Sequence, residues 1–345
     1  MSVLSELELP IVQAPMAGGP STPALAVAVD RAGGLGMLAA GYLGAERLAA
    51  DIVAVRSQTP RFGLNVFVGG GAPADVETVR GYAERLRADA ERAGVQLGTP
   101  RFDDDSFAEK VALLVRERVP VVSFTFGLPP ADVIARLRDG GAEVWLTVTS
   151  PEEALAAVAV GADALIVQGV ESGGHRGVFV DDESQSDLTL LAALQLVRAA
   201  VDLPLVAAGA IMTGAALAAV LAAGASAGQL GSAYLRSVEA GTSEAQREAT
   251  ATDTATVLTR AFSGRTARGI RNRLHDEHAA AAPSAYPEVH HLTSPLRGHA
   301  RKVGDADLIN LWAGQAHVLA AALPAEEITR RIAAEAREAL ERARF

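Results

Sequence analysis

The chain has 345 residues, 49% hydrophobic and 21% charged, a balance that supports a large core and excludes a disordered polymer. Its formal net charge of −10 argues against nucleic acid as a partner. It contains no cysteine, which excludes disulfides, thiolate metal ligands and a thiol nucleophile together.

The opening segment MSVLSELELPIVQAPM lacks the basic start and long apolar stretch of a signal peptide. No window reaches the ~18 uninterrupted apolar residues of a membrane span, so a cytoplasmic protein is expected. Short apolar runs at residues 11–16, 35–40, 62–67, 121–126, 143–149, 164–168, 204–208 and 227–231 read as strands buried on both faces. Helical patterns lie between them at 22–31, 45–56, 130–138, 151–160, 188–200 and 213–222. Ser150-Pro151-Glu152-Glu153 is a helix start, and Gly33-Gly34, Gly140-Gly141, Gly161 and Gly224 are stops. Eight strands alternating with helices predict an α/β fold, a (β/α)8 TIM barrel. The first strand runs into Ala-Pro-Met-Ala-Gly-Gly-Pro, without the G-x-G-x-x-G spacing of an open dinucleotide-binding sheet.

Two stretches break the rhythm. Residues 69–120 open with Gly69-Gly70-Gly71-Ala72-Pro73 and carry helical patterns at 74–93 and 106–118. They are expected to be an insertion after strand three, within a barrel domain spanning 1–240. Residues 241–345 are expected to form a C-terminal helical cap over the barrel mouth. That region holds a helical pattern at 243–250, an irregular polar run from His275 to His299, and two final helices, with 325–344 reading as solvated.

Polar and small residues gather where the strands end. They are Pro15-Met16-Ala17-Gly18, Asn65, Ser123 and Thr125, Thr147 and Thr149, Gln168-Gly169, Gly209, then Gln229, Gly231 and Ser232. In a parallel barrel these ends converge on the face where active sites are built. Neutral hydrogen-bonding groups among glycines suit a flat ligand such as an isoalloxazine ring. A hydrated metal would need convergent Asp, Glu and His, so no metal is expected. Segments 207–214 and 229–232 each join a late strand to a helix and suit a phosphate.

The chemistry is expected in the glycine-rich loop Gln168-Gly169-Val170-Glu171-Ser172-Gly173-Gly174-His175-Arg176-Gly177. His175 there can serve as a general base or as a donor to an anion. Arg176 is placed to pair with Glu171 or with a substrate carboxylate. His290, His291 and His299 lack a suitably spaced acid for a metal site. Arg265, Arg268 and Arg271 read as salt-bridge formers.

These residues carry a resemblance. Gln13 to Thr22, Gly63-Leu64-Asn65-Val66-Phe67, the Gln168–Gly177 loop, Pro204 to Gly214, Gln229 to Ser232, Ser263-Gly264-Arg265 and Trp312-Ala313-Gly314-Gln315 resemble, in order, the motifs of nitronate monooxygenases. The resemblance implies one non-covalent FMN and oxidation of alkyl nitronates, such as propionate 3-nitronate, by O2 to a carbonyl compound and nitrite. It implies that His175 stands at the substrate, and that FMN is lined by Pro15, Met16, Ala17, Gly18, Asn65, Gln168, Gly173, Gly174, Gly209, Gln229, Gly231 and Ser232. Departures are Ala210, where the family has Gly, and Ser232, where Thr is usual. Tyr286 and Lys302 are the candidates for the tyrosines and lysine that relatives carry near substrate. Competing readings are an enoyl-acyl-carrier-protein reductase, an NAD(P)H:quinone reductase, and a non-catalytic flavin carrier. Arg176-Gly177 and Trp312 to Gln315 favour the oxidase. A homodimer is compatible with all of these.

Overall fold

Short runs of β-branched residues and leucine, each followed by a helix, fold into parallel strands that curl into one barrel. The computed structural model describes residues 2–69, 71–182 and 184–343. Gly70 of the glycine run and Arg344 at the end of the last helical pattern lie outside the described residues. The barrel strands are β1 (Ile11–Gln13), β2 (Met37–Ala39), β3 (Gly63–Phe67), β4 (Val121–Thr125), β5 (Glu143–Val148) and β6 (Ala164–Gln168). A two-residue strand outside the barrel, β7 (Gly174–His175), precedes the last two, β8 (Leu205–Ala208) and β9 (Ala227–Leu230). Their order is β1-β9-β8-β6-β5-β4-β3-β2, and a parallel bridge between Val12 and Leu35 all but closes the ring. The expected (β/α)8 barrel is therefore present, with each strand within a few residues of its predicted place.

A one-turn helix, α1 (Val3–Glu6), lies against the bottom of the barrel, where Val3 and Leu4 pack on the Val12, Met37 and Trp145 layer. Outside run α2 (Pro23–Arg31), α3 (Ala45–Arg56) and, after the inserted α4 (Val76–Ala93), α5 (Phe107–Arg116). The ring continues with α6 (Ala131–Asp139), α7 (Pro151–Ala159), α8 (Leu190–Ala200) and α9 (Gly214–Ala222). The remaining helices are α10 (Glu244–Thr250), α11 (Arg273–His278), α12 (Glu288–Val303) and α13 (Ala325–Arg342). α5 packs on α3, α6 and β3, and α13 packs on both α9 and α2. The last helix is thus not solvated all round. Its Ile328, Ile332 and Ala336, spaced by four, are buried against the ring.

Three further features depart from expectation. The run from His275 to His299 is not irregular but falls largely into α11 and α12. A single long helix, α13, ends the chain, preceded by short 3-10 turns at Ala306–Leu308 and His317–Leu319. A second, antiparallel sheet joins β10 (Thr256–Thr259) and β11 (Ala267–Ile270) to β7, pairing His175 with Ala267. The inserted and C-terminal segments also grip each other. Tyr82 donates to the Ala261 carbonyl at 2.8 Å, and Asp89 binds His278 Nε2 at 2.7 Å. Gly98 packs on the His291 carbonyl beside Pro295, the proline inside α12, with no room for a Cβ. Among the described residues, no helix is long and apolar enough to cross a membrane.

Candidate active site

The C-terminal ends of the strands open into a cavity of about 430 Å³, within the range of small-molecule sites. Pro15, Met16, Ala17 and Gly18 line it from the β1 end, Asn65 from β3 and Gln168 from β6. Gly173, Gly174 and His175 come from the loop after β6, Gly209 from the end of β8, and Gln229, Gly231 and Ser232 from β9. Every residue singled out in the sequence as binding or catalytic reaches this one wall.

Asn65 Nδ2 donates to Ser123 Oγ at 2.9 Å and to Thr125 Oγ1 at 3.0 Å, which leaves Oδ1 as its acceptor toward a ligand. Gln229 Oε1 is shut off from solvent without a partner among the described residues. A buried orphan acceptor of this kind calls for a ligand N–H or O–H. Gln168 is spent on the loop: its Oε1 accepts from Gly177 N at 2.8 Å, and its Nε2 donates to the His175 carbonyl at 3.0 Å. Ser232 Oγ accepts from Gly314 N at 2.9 Å, so its own proton remains to donate. Of the two phosphate candidates, residues 209–212 and 231–232 line the cavity, whereas Gly214 at the start of α9 donates to Glu335 Oε2 at 3.0 Å. An anion is therefore offered the two turns, while Glu335 already occupies that helix end.

His175 Nε2 sits 2.8 Å from Ser263 Oγ, and Nδ1 has no hydrogen-bond partner among the described residues. Phe126, Tyr286 and Trp312 surround the ring with centroids at 5.7, 5.9 and 5.4 Å. Burial, then the charges of Arg265 and Arg297, lowers its pKa to about 3. The imidazole is neutral at physiological pH. Arg176 is elsewhere: it is buried and donates to Gly169 O at 2.8 Å and Ser186 O at 3.0 Å, bracing the loop instead of pairing with Glu171. Glu171 accepts from Leu190 N at 3.0 Å. Of the three arginines expected in salt bridges, only Arg271 makes one among the described residues, with Asp276 at 2.7 Å. Arg265 lies over the Phe126 ring at 4.1 Å and donates to Val178 O, and Arg268 donates to Val170 O at 3.0 Å.

A sequence profile described as nitronate monooxygenase matches residues 1–335. A probable nitronate monooxygenase of Staphylococcus aureus (strain Newman) is 37% identical over 342 residues, covering 95% of this chain and 94% of the relative. The chain belongs to the nitronate monooxygenase family. It is a flavin oxidoreductase. A nitroalkane oxidase from Streptomyces ansochromogenes superposes with TM-score 0.95 at 49% identity, covering 99% of both chains. FabK from Thermotoga maritima superposes with TM-score 0.78 at 27% identity, covering 98% of this chain and 96% of the other.

This nitronate monooxygenase family member also lines its cavity with residues that sequence reasoning missed. Tyr42, after β2, stacks on His290 at 4.0 Å. His290, Ser294, Arg297 and Arg301 project from α12, with Asn310 beside them. The signal for α12 was present in Val289, Leu292, Leu296 and Ala300, but Pro295 and Gly298 disguised the helical period. Of the pair expected near substrate, Tyr286 reaches His175, whereas Lys302 is exposed.

Proposed function

We propose that the cavity holds FMN and that the enzyme oxidises alkyl nitronates, of which propionate 3-nitronate is the type, with O2 to a carbonyl compound and nitrite. Oxidation of nitro compounds follows from the family; the choice of nitronate over neutral nitroalkane rests on His175. A base that takes a proton from a neutral nitroalkane works best with a pKa near the operating pH. His175, at about 3, is far from that match. A neutral imidazole between two arginines suits an anion that is already deprotonated.

When bound, FMN supplies the electron acceptor. The side chains of Asn65, Gln229 and Ser232, with the main chain from Pro15 to Gly18, hold it by neutral hydrogen bonds. Gly173, Gly174, Gly209 and Gly231 let the ring and phosphate approach the main chain. His175 orients the nitronate: with Nε2–H given to Ser263, Nδ1 presents a lone pair, and in the other tautomer it presents a proton. Arg265 and Arg297 favour the anion. Phe126, Tyr286 and Trp312 exclude water around it.

The test is oxygen uptake and nitrite release by the purified protein, with its cofactor released and identified. FMN together with faster turnover of nitronates than of the parent nitroalkanes supports the reading. FAD, or equal turnover of both forms, contradicts it.

A further inference from the structure

At the seam of the barrel, β1 and β2 meet through the Val12–Leu35 bridge, where Gln13 N donates to Leu35 O at 2.8 Å. One step further along, a side chain continues the seam. Met37 N donates to Gln13 Oε1 at 3.0 Å. Gln13 ends β1 and is fully buried. Its Nε2 donates to Ser21 Oγ at 2.9 Å and to the Ala14 carbonyl. The amide cannot be turned over, because Met37 N only donates and the Ala14 carbonyl only accepts.

Ser21 carries the constraint to the cavity wall. Its Oγ accepts from Met16 N at 2.8 Å, and its own N donates to Met16 O at 3.2 Å. The turn from Met16 to Ser21 is thereby clamped at both ends, and the main-chain polar groups of Met16 are spent on the clamp. Ala17 and Gly18 line the cavity, and among the described residues their N–H groups have no acceptor. Successive free N–H groups in a turn are ready donors to a bound ligand.

We propose that Gln13 and Ser21 are positioning residues for the flavin, and that the Gln13 amide couples closure of the barrel seam to flavin binding. Neither is among the residues lining the cavity. Both act through the Met16 turn, whose Ala17 and Gly18 N–H groups serve the flavin. Coupling of this kind is reciprocal. If the clamped turn favours flavin, bound flavin holds the turn, Ser21 and the Gln13 amide in place, and so keeps Met37 N–H bonded. The coupling rests on the flavin occupying this cavity, as proposed above, and is independent of the nitronate.

The holoenzyme is compared with its Ser21→Ala, Ser21→Thr and Asn65→Ala variants. Fluorescence of FMN released on dilution gives the dissociation constant. Ser21→Ala should raise it about tenfold or more, the size of a buried donor left unpaired. Ser21→Thr keeps the hydroxyl and should stay within about threefold of the parent. Hydrogen exchange reads the coupling itself. In the parent, saturating FMN should slow Met37 N–H at least about tenfold more than Leu165 N–H. The latter bonds the Pro204 carbonyl at 3.0 Å, across the barrel from the seam. In Ser21→Ala that excess should vanish.

Unchanged FMN affinity in Ser21→Ala, or equal slowing of Met37 and Leu165 in the parent, would overturn the proposal. So would a fall in the flavin-free unfolding midpoint of Ser21→Ala large enough to account for the lost affinity, since Ser21 would then serve the fold alone. Asn65→Ala separates this failure from that of the cavity assignment. Affinity lost there but kept in Ser21→Ala removes only the positioning role. Affinity kept in both puts the flavin elsewhere, and both readings fall. If the released cofactor is FAD, the FMN reading falls and the same comparison with FAD decides the coupling.

Discussion

His175 Nε2 lies 2.8 Å from Ser263 Oγ, and the same histidine pairs through its backbone with Ala267, four residues beyond that serine. The loop after β6 is thus stitched to the C-terminal segment at both backbone and ring. Removing the hydroxyl leaves the ring less well aimed. Ser263→Ala should lower kcat about 3- to 10-fold with flavin retained, whereas His175→Asn should lower it about 100-fold or more. Steady-state kinetics on flavin-matched samples separate the two. Equal, small effects would remove His175 from the reaction.

The pKa of His175, lowered to about 3 from its ordinary 6.5, has a consequence for pH. Between these values the unfolded chain binds a proton that the folded chain refuses, so stability falls as pH drops from about 6.5 toward 3. Above 6.5 the histidine makes no pH-dependent contribution. Thermal unfolding of the parent and His175→Gln should differ by a constant amount above pH 7. Below about 6.5 the difference should move against the parent. A parallel pair of curves down to pH 4 would contradict the buried neutral imidazole.

Tyr42 holds a left-handed backbone, φ 68°, and its N–H donates to the Asp105 carboxylate at 3.2 Å. Asp105 in turn meets the fully buried Lys110 Nζ at 2.6 Å. Removing one partner of such a pair leaves a charge uncompensated, at about 3 kcal/mol. Lys110→Met should therefore lower Tm by several degrees and raise KM, because Tyr42 and the His290 stacked on it lose their anchor. Differential scanning calorimetry with kinetics on the same sample checks both. A change in Tm with KM untouched would detach the pair from the site.

Two neighbouring glycines make different predictions. A Cβ on Gly173 would meet the Ala313 carbonyl carbon and Gly314 N at 2.5 Å, both backbone atoms. On Gly174 it would meet nothing within 4 Å, but φ is +78°. Gly173→Ala should push the Trp312 to Gln315 segment off the loop and cut flavin occupancy. Gly174→Ala should cost about 1–2 kcal/mol from backbone strain alone. Flavin-to-protein ratio and denaturant unfolding read the two effects.

Ala210, where the family has glycine, takes φ 46° without glycine's freedom. Ala210→Gly removes that strain and adds unfolded-chain entropy, for a net gain of about 0.5–1 kcal/mol. Chemical denaturation should show a higher midpoint with an unchanged slope. A loss of stability would mean that the alanine methyl is packed to advantage.

The barrel was legible because buried strands leave short apolar runs and their polar ends point to one face. The cavity wall contributed by those ends was legible for the same reason. β7 was not: two residues, Gly174 and His175, carry no period, and only their distant partners Arg268 and Ala267 make them a strand. Arg297 and Arg301 stayed hidden because α12 contains Pro295 and a glycine, so its stripe read as irregular. The final helix read as solvated because its charges outnumber the narrow Ile328, Ile332 and Ala336 stripe that it buries.

The most direct test of the central claim is anaerobic mixing of the purified, flavin-loaded protein with propionate 3-nitronate and, separately, with NADH, following the visible spectrum. The account predicts rapid loss of the oxidised flavin absorbance with the nitronate and none with NADH. Rapid bleaching by NADH with no response to the nitronate would contradict it and make the protein a nicotinamide-dependent reductase.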